Sequence, residues 1–429
     1  MKRSCVVVGA GPAGLAAAHR LAAAGVHVTV LEGANAIGGR TRSERVGDVV
    51  VNTGANFVAS FYDATRKLLS ELGIVTSVPH WHGGVVATPH GKLHLDLSSP
   101  RRILQFPLVK LSGKVRAAVQ LALAALRRRV HIAKPKRLAR LDRGETVEEW
   151  GRRAIGDTAY HYLLRAGVEP FFGVGAEQTS AAVGKALVRH ALDWHLLFLP
   201  AGMGALCDAL AAGLEVRTGC PASGIELHKH SVVIRHAGGA VEADDAILAA
   251  PASAVAALDG ALAEMDRADA ASVQYLPSLA LYFGYERPIT VQYPSVTPAG
   301  PGPHPLTNVR TWSTLAPGCV PKGKELVGIH AMGWRSAELL DRDSSAIVAA
   351  LRADAEEIFG RLADPDWIRL YARVDGIVVP QPGHYRRMAA FLRRPRARLF
   401  YAGDWLSGPT IEGAVQTGLS AAERVLKSS

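Results

Sequence analysis

Residues 6–40 read VVVGAGPAGLAAAHRLAAAGVHVTVLEGANAIGGR, and no other stretch limits the fold so sharply. The apolar run Val6–Val8 enters Gly9-x-Gly11-x-x-Gly14, an Ala-rich helical stretch follows to Ala24, and a second apolar run, Val26–Leu31, closes on Glu32. Strand, glycine turn, helix and strand in that order make a dinucleotide site. Gly9 permits the tight turn, Gly11 clears the approach of backbone to a pyrophosphate, and Gly14 lets the helix pack closely. Pro12 and Ala13 complete the loop, whose helix N-terminus offers free N–H groups and a positive dipole end. Glu32 is placed to accept both ribose hydroxyls. Its charge would repel a 2′-phosphate, which leaves FAD or NAD rather than NADP.

Gly38-Gly39-Arg40 follows closely, and a glycine pair with an arginine suits a second approach to the pyrophosphate, Arg40 adding charge. At the other end of the chain, Leu399–Tyr401 reads as a buried strand closing on Ala402-Gly403-Asp404-Trp405. Pro409-Thr410-Ile411-Glu412-Gly413-Ala414 then opens a helix running to about Leu426. Together these blocks resemble the flavin-containing amine oxidase superfamily, which includes protoporphyrinogen oxidases, squalene and carotenoid desaturases and monoamine oxidases. The wording is nearest to the first two groups, and the resemblance implies FAD. It also implies that Gly403 and Asp404 meet the ribityl and pyrophosphate groups, and that Glu412, Gly413 and Ala414 start a helix beside the flavin ring. Gly54, Ala55 and Asn56 would face the flavin, and the backbone of Ala222 would touch the adenine. Relatives usually carry an acid where Asn52 stands.

The fold class expected is α/β: a discontinuous Rossmann-like FAD-binding domain with a mixed α+β substrate domain. The first would be built from residues 1–75, 200–255 and 381–429, the second from 76–199 and 256–380. Helices are expected at Asp63–Leu72, Val115–Leu126, from Thr146 through Arg153, and at Ala205–Ala212. The second rests on apolar residues at helical spacing and the third on a capping box in which Glu149 reaches back to Thr146. Alternation around Gly224–Leu227 and Val232–Ile234 predicts antiparallel strands, and the Pro- and Gly-rich Thr297–Pro305 a surface loop.

With 429 residues, 48% of them hydrophobic, the chain can bury a large core. Four scattered cysteines suggest neither disulfides nor a zinc site, which fits a reducing cytoplasm. The apolar N-terminal run is broken by Gly9, Gly11, Pro12 and Gly14, so a secretory signal is rejected. No segment approaches the roughly 18 apolar residues of a spanning helix. The formal charge of +11 concentrates between Arg101 and Arg143, where thirteen Lys and Arg side chains face Asp142 alone. Three readings compete for this segment: an anionic membrane surface, an entrance attracting an acidic substrate, and a plain solvated face. The location expected is therefore cytoplasmic, either free or peripheral on the inner face of the membrane. Nucleic acid is not expected, because interleaved aromatics and a reading motif are missing.

A flavin accepts a hydride while the protein supplies position, electrostatics and exclusion of water. The resemblance implies removal of hydrogen from a C–H bond of a hydrophobic small molecule, an isoprenoid or a porphyrinogen-like compound, with dioxygen or a quinone as final acceptor. An amine or amino-acid oxidase is the alternative, and a non-catalytic flavin carrier a further one. Monoamine oxidases generally place an aromatic where Thr410 stands, and the strand Ser278–Tyr285 lacks the lysine often found near their flavin. His80-Trp81-His82 and His228-Lys229-His230 lack a third ligand, so no metal is expected. No catalytic acid or base can be assigned.

Overall fold

A computed structural model describes residues 3–78, 84–97, 99–126 and 130–428. The opening motif folds as strand β1 (Ser4–Val8), helix α1 (Pro12–Ala23) and strand β2 (His27–Leu31). Cys5–Val8 are buried throughout, as a central parallel strand covered on both faces requires. Strands β3 (Glu215–Arg217), β4 (Asp245–Leu248) and β5 (Leu399–Tyr401) join them in one parallel sheet of order β5-β4-β1-β2-β3. Every one of these strands comes from 1–75, 200–255 or 381–429.

The C-terminal helix Ile411–Lys427 lies against α1 so closely that a side-chain carbon at Gly418 would sit 2.1 Å from the Ala13 carbonyl oxygen. The antiparallel strands Ala222–Leu227, Val232–His236 and Gly239–Ala243 form a meander beside the parallel sheet. Asp266 is buried and accepts hydrogen bonds from Arg394, Arg396 and Tyr401, which ties the helix Glu264–Ala271 to β5.

The intervening stretches build a seven-stranded sheet in which Gln274–Tyr285, Glu325–Ala331 and Leu306–Thr311 are central. Alternation sorts its two faces. Leu279, Leu281, Val309, Val327 and Ile329 pack beneath the helix Ser344–Phe359, whereas Tyr282 faces Val49–Val51, Phe198 and Trp312. Thr297 does not lie in a loop: Ser295–Pro298 is a strand, because Val296–Pro298 finds a parallel partner in Val85–Ala87. A helical group covers the remaining side. Within it, Thr146 and Glu149 form the expected reciprocal cap on Val147–Ile155.

Candidate active site

The glycine turn is positioned by hydrogen bonding across β1 and β2, where the Gly9 N–H donates to the Leu31 carbonyl at 2.7 Å. Gly9 has φ +107° and packs on the Ala249 backbone, and a carbon on Gly14 would lie 1.9 Å from the Gly9 carbonyl oxygen. Both positions admit only glycine. Gly11 differs, because a side chain there would meet nothing within 4 Å. That open face is the cradle a pyrophosphate needs. Gly38 donates to the Ala10 carbonyl at 2.8 Å and Gly39 lies over Gly11, so the second glycine pair folds onto the first. The Glu32 carboxylate accepts from the Ala10 and Ala34 N–H groups at 2.7 and 2.9 Å, which fixes it at the end of β2. Cys220 donates to the Glu32 carbonyl, bringing Ala222 to the same corner.

The two ends of the chain meet at Arg40 and Asp404, whose guanidinium and carboxylate lie 2.7 Å apart. Ala55 N–H donates to the Arg40 carbonyl, so the Gly54–Asn56 turn sits against the same residue. Gly403 N–H donates to the Thr417 hydroxyl. Thr410 caps the last helix by accepting from Gly413, and Ala414 N–H closes on the Thr410 carbonyl. Glu412 behaves differently from its neighbours. Its fully buried carboxylate points to the helix Asp63–Glu71, accepting from the Ala64 and Thr65 N–H groups and the Thr65 hydroxyl, so only its backbone is left for a ligand.

Sequence reasoning missed Arg373, on the strand Trp367–Val379. It donates to the Thr53 hydroxyl at 3.0 Å, while its Nε is buried without a partner. Burial, then the nearby charges of Arg42 and Arg40, lower its pKa. Three guanidiniums, Arg40, Arg42 and Arg373, thus lie near one another with Asp404 and Asp375 as the acids beside Arg40, a balance that suits the diphosphate of a dinucleotide. Nothing local in the sequence marks a single arginine on a long strand.

A cavity of about 230 Å³ lies beside the Gly54–Phe57 turn, walled by Phe57, Phe171, Trp194, Leu196, Phe198 and Arg310 among others. A polar network adjoins Phe57 through its chain neighbour Asn56. The Tyr282 hydroxyl donates to the Asn52 carbonyl at 2.7 Å and lies within hydrogen-bond distance of Asn56 and His330, and His330 Nδ1 meets Asn308. Burial, helped by the charge of Arg310, pushes the His330 pKa down to about 3. At neutral pH this imidazole is uncharged. The Asn52 side chain is occupied structurally, accepting from Ser43 and from Met203 N–H.

Of the histidine pairs, His228 and His230 are exposed, and His80-Trp81-His82 lies outside the described residues, as do Arg127, Arg128 and Arg129 of the basic segment. The sequence profile of the flavin-containing amine oxidoreductase family matches residues 12–426. The chain belongs to that family. Its cofactor is FAD. A protein of Mycobacterium tuberculosis named as the flavin-containing monoamine oxidase AofH is 28% identical over 261 residues, 57% of this chain and 56% of that one. The match thus spans about half of that relative's length. Coproporphyrinogen III oxidase of Propionibacterium freudenreichii is 28% identical over 185 residues, 41% of this chain and 33% of its own. The crystal structure of a protein titled as a protoporphyrinogen oxidase, from Exiguobacterium sp. 255-15, superposes with a TM-score of 0.79 at 17% identity, covering 100% of both chains. That likeness establishes the shared fold.

Proposed function

We propose that this protein removes hydrogen from a C–H bond of a hydrophobic small molecule, isoprenoid or porphyrinogen-like, held in the cavity beside Phe57. The observation that carries the reading is the cavity itself, largely aromatic and aliphatic and lined by Phe57. FAD, when bound, accepts the hydride, and dioxygen or a quinone takes the electrons. Gly9, Gly11, Pro12, Ala13, Gly14, Gly38, Gly39 and Arg40 would hold its diphosphate, Glu32 a ribose, Ala222 the adenine and Gly403 with Asp404 the ribityl chain. Gly54, Ala55, Asn56 and the helix start at Glu412, Gly413 and Ala414 would flank the ring. The chain's own contribution is to orient the molecule and keep water from it.

An amine oxidase is the second reading, favoured by the monoamine oxidase among the relatives. Anaerobic mixing of the FAD-loaded protein with a polyene, a porphyrinogen and an amine separates the two by loss of the oxidised-flavin absorbance. Bleaching by polyene or porphyrinogen but not by amine is expected. The reverse result overturns the ranking, and no bleaching by any compound points to a carrier.

The basic segment supports an anionic membrane surface as partner. In the helix Leu111–Leu126, Leu111, Val115, Val119 and Leu126 form a helically spaced stripe that is 69%, 54%, 50% and 80% exposed. Arg101, Lys110, Arg116 and Lys134 are exposed around it. Apolar side chains ringed by cations suit an anionic bilayer. Beneath this helix lies a second cavity that shares Leu97, Gly167 and Trp194 with the first, which would admit a lipophilic molecule from the bilayer side. Among the described residues no helix is long and apolar enough to cross a membrane. The protein should sediment with phosphatidylserine vesicles at low salt, and Val115→Glu with Val119→Glu should abolish this. Failure of the unaltered protein to sediment removes the proposal.

A further inference from the structure

Arg310 is the part of the cavity wall that a plain hydrocarbon leaves unexplained. It stands on the strand Leu306–Thr311 and lines the cavity, with its guanidinium carbon 5.7 Å from the centre of the Phe57 ring. That contact places the guanidinium beside Phe57, which lines the same cavity. Among the described residues no carboxylate pairs with it. Asp96 is the one acid among the described lining residues, and it lies 3.8 Å from Arg102. A cation held in a half-buried wall without a counter-charge costs stability, and such a cost is commonly met where a ligand brings the opposite charge.

The surroundings narrow the ligand's chemistry. Ser295 lies directly opposite Arg310 across the paired strands, and Thr297 is on the same face two residues on. Both line the cavity. One guanidinium and two hydroxyl donors match a carboxylate in charge and donor number. A phosphate dianion would leave a net negative charge among aromatic walls, which is costly. Burial lowers the Arg310 pKa to about 10, so it stays cationic at neutral pH, while His330 stays neutral. Arg310 is thus the one guanidinium or ammonium among the described lining residues, and the Asp96 carboxylate has Arg102 3.8 Å away.

We infer that the molecule oxidised here carries a carboxylate on its hydrophobic body, and that Arg310, with Ser295 and Thr297, binds that carboxylate and sets which end of the molecule faces the flavin. The inference rests on reading the cavity as the substrate's place. Calorimetric titration of the FAD-loaded protein with phenylpropionate, its methyl ester and phenylpropylamine tests it without turnover. The acid should bind in preference to the ester and the amine. Arg310→Gln should weaken the acid by about ten- to hundredfold and leave the ester unchanged, with Arg310→Lys in between. Equal binding of acid and ester, preference for the amine, or an acid affinity indifferent to Arg310→Gln would overturn it. The acid–ester comparison on the unaltered protein stands even if the glutamine variant does not fold. Bleaching by a polyene without acid preference would sink this inference alone. Acid preference through Arg310 with no bleaching by any compound would sink the oxidation reading alone.

Discussion

Backbone meets backbone at Gly14 and Gly418, and the two positions differ in how far the sequence announces them. Gly14 is legible because its partner, Gly9, belongs to the same short motif. Gly418 is not, because Ala13 lies at the far end of the chain and a helical glycine carries no local signal. Gly418→Ala should cost about 2 kcal/mol or more in thermal unfolding, since neither backbone can retreat without moving a whole helix. A variant that melts with the parent would mean that the helices separate easily. The pairing of Arg40 with Asp404 is equally illegible in the sequence, although each residue separately reads as near the cofactor. Asp404→Ala should lower the fraction of protein purified with bound FAD. Flavin content equal to the parent's would remove Asp404 from the site. Arg310 and Arg373 escaped notice because alternation along a strand reveals its period but not which face will meet a cavity.

At the scale of elements, the parallel core and its helices were legible from apolar runs, glycine turns and the Thr146 capping box. The strand Ser295–Pro298 was not. Its sequence is turn-like, and it is held extended by a partner some two hundred residues earlier, a long-range pairing that overrides local preference. The basic segment's helix was visible, whereas its outward apolar stripe needed the structure to show which side chains stay uncovered. Glu412 binds one element to another, satisfying the first turn of Asp63–Glu71 from the start of the last helix. Glu412→Ala should therefore destabilise by at least about 2 kcal/mol in urea unfolding, and Glu412→Gln by less, because its amide oxygen can still accept. Equal losses for both would show that the negative charge, not acceptance, is what matters.

Across the described part of the molecule, burial first of all depresses the basicity of five histidines: His161, His330 at about 3, and His190, His304 and His384 at about 4. In the unfolded chain each would titrate at about 6.5. Between these limits the unfolded state binds more protons, so stability is complete above about 6.5 and falls as the pH drops toward 4. Melting temperatures across that window should decline steadily, and a flat profile would mean that these side chains are reached by water in the native state. The parallel sheet also has a consequence for synthesis. β5, the Asp404 carboxylate and the helix that presses on α1 are synthesised long after β1. Until then β4 presents an open edge, and the diphosphate cradle lacks the carboxylate that steadies Arg40. A nascent chain should consequently acquire FAD only once the helix Ile411–Lys427 has emerged, and the interval before it is when aggregation threatens most.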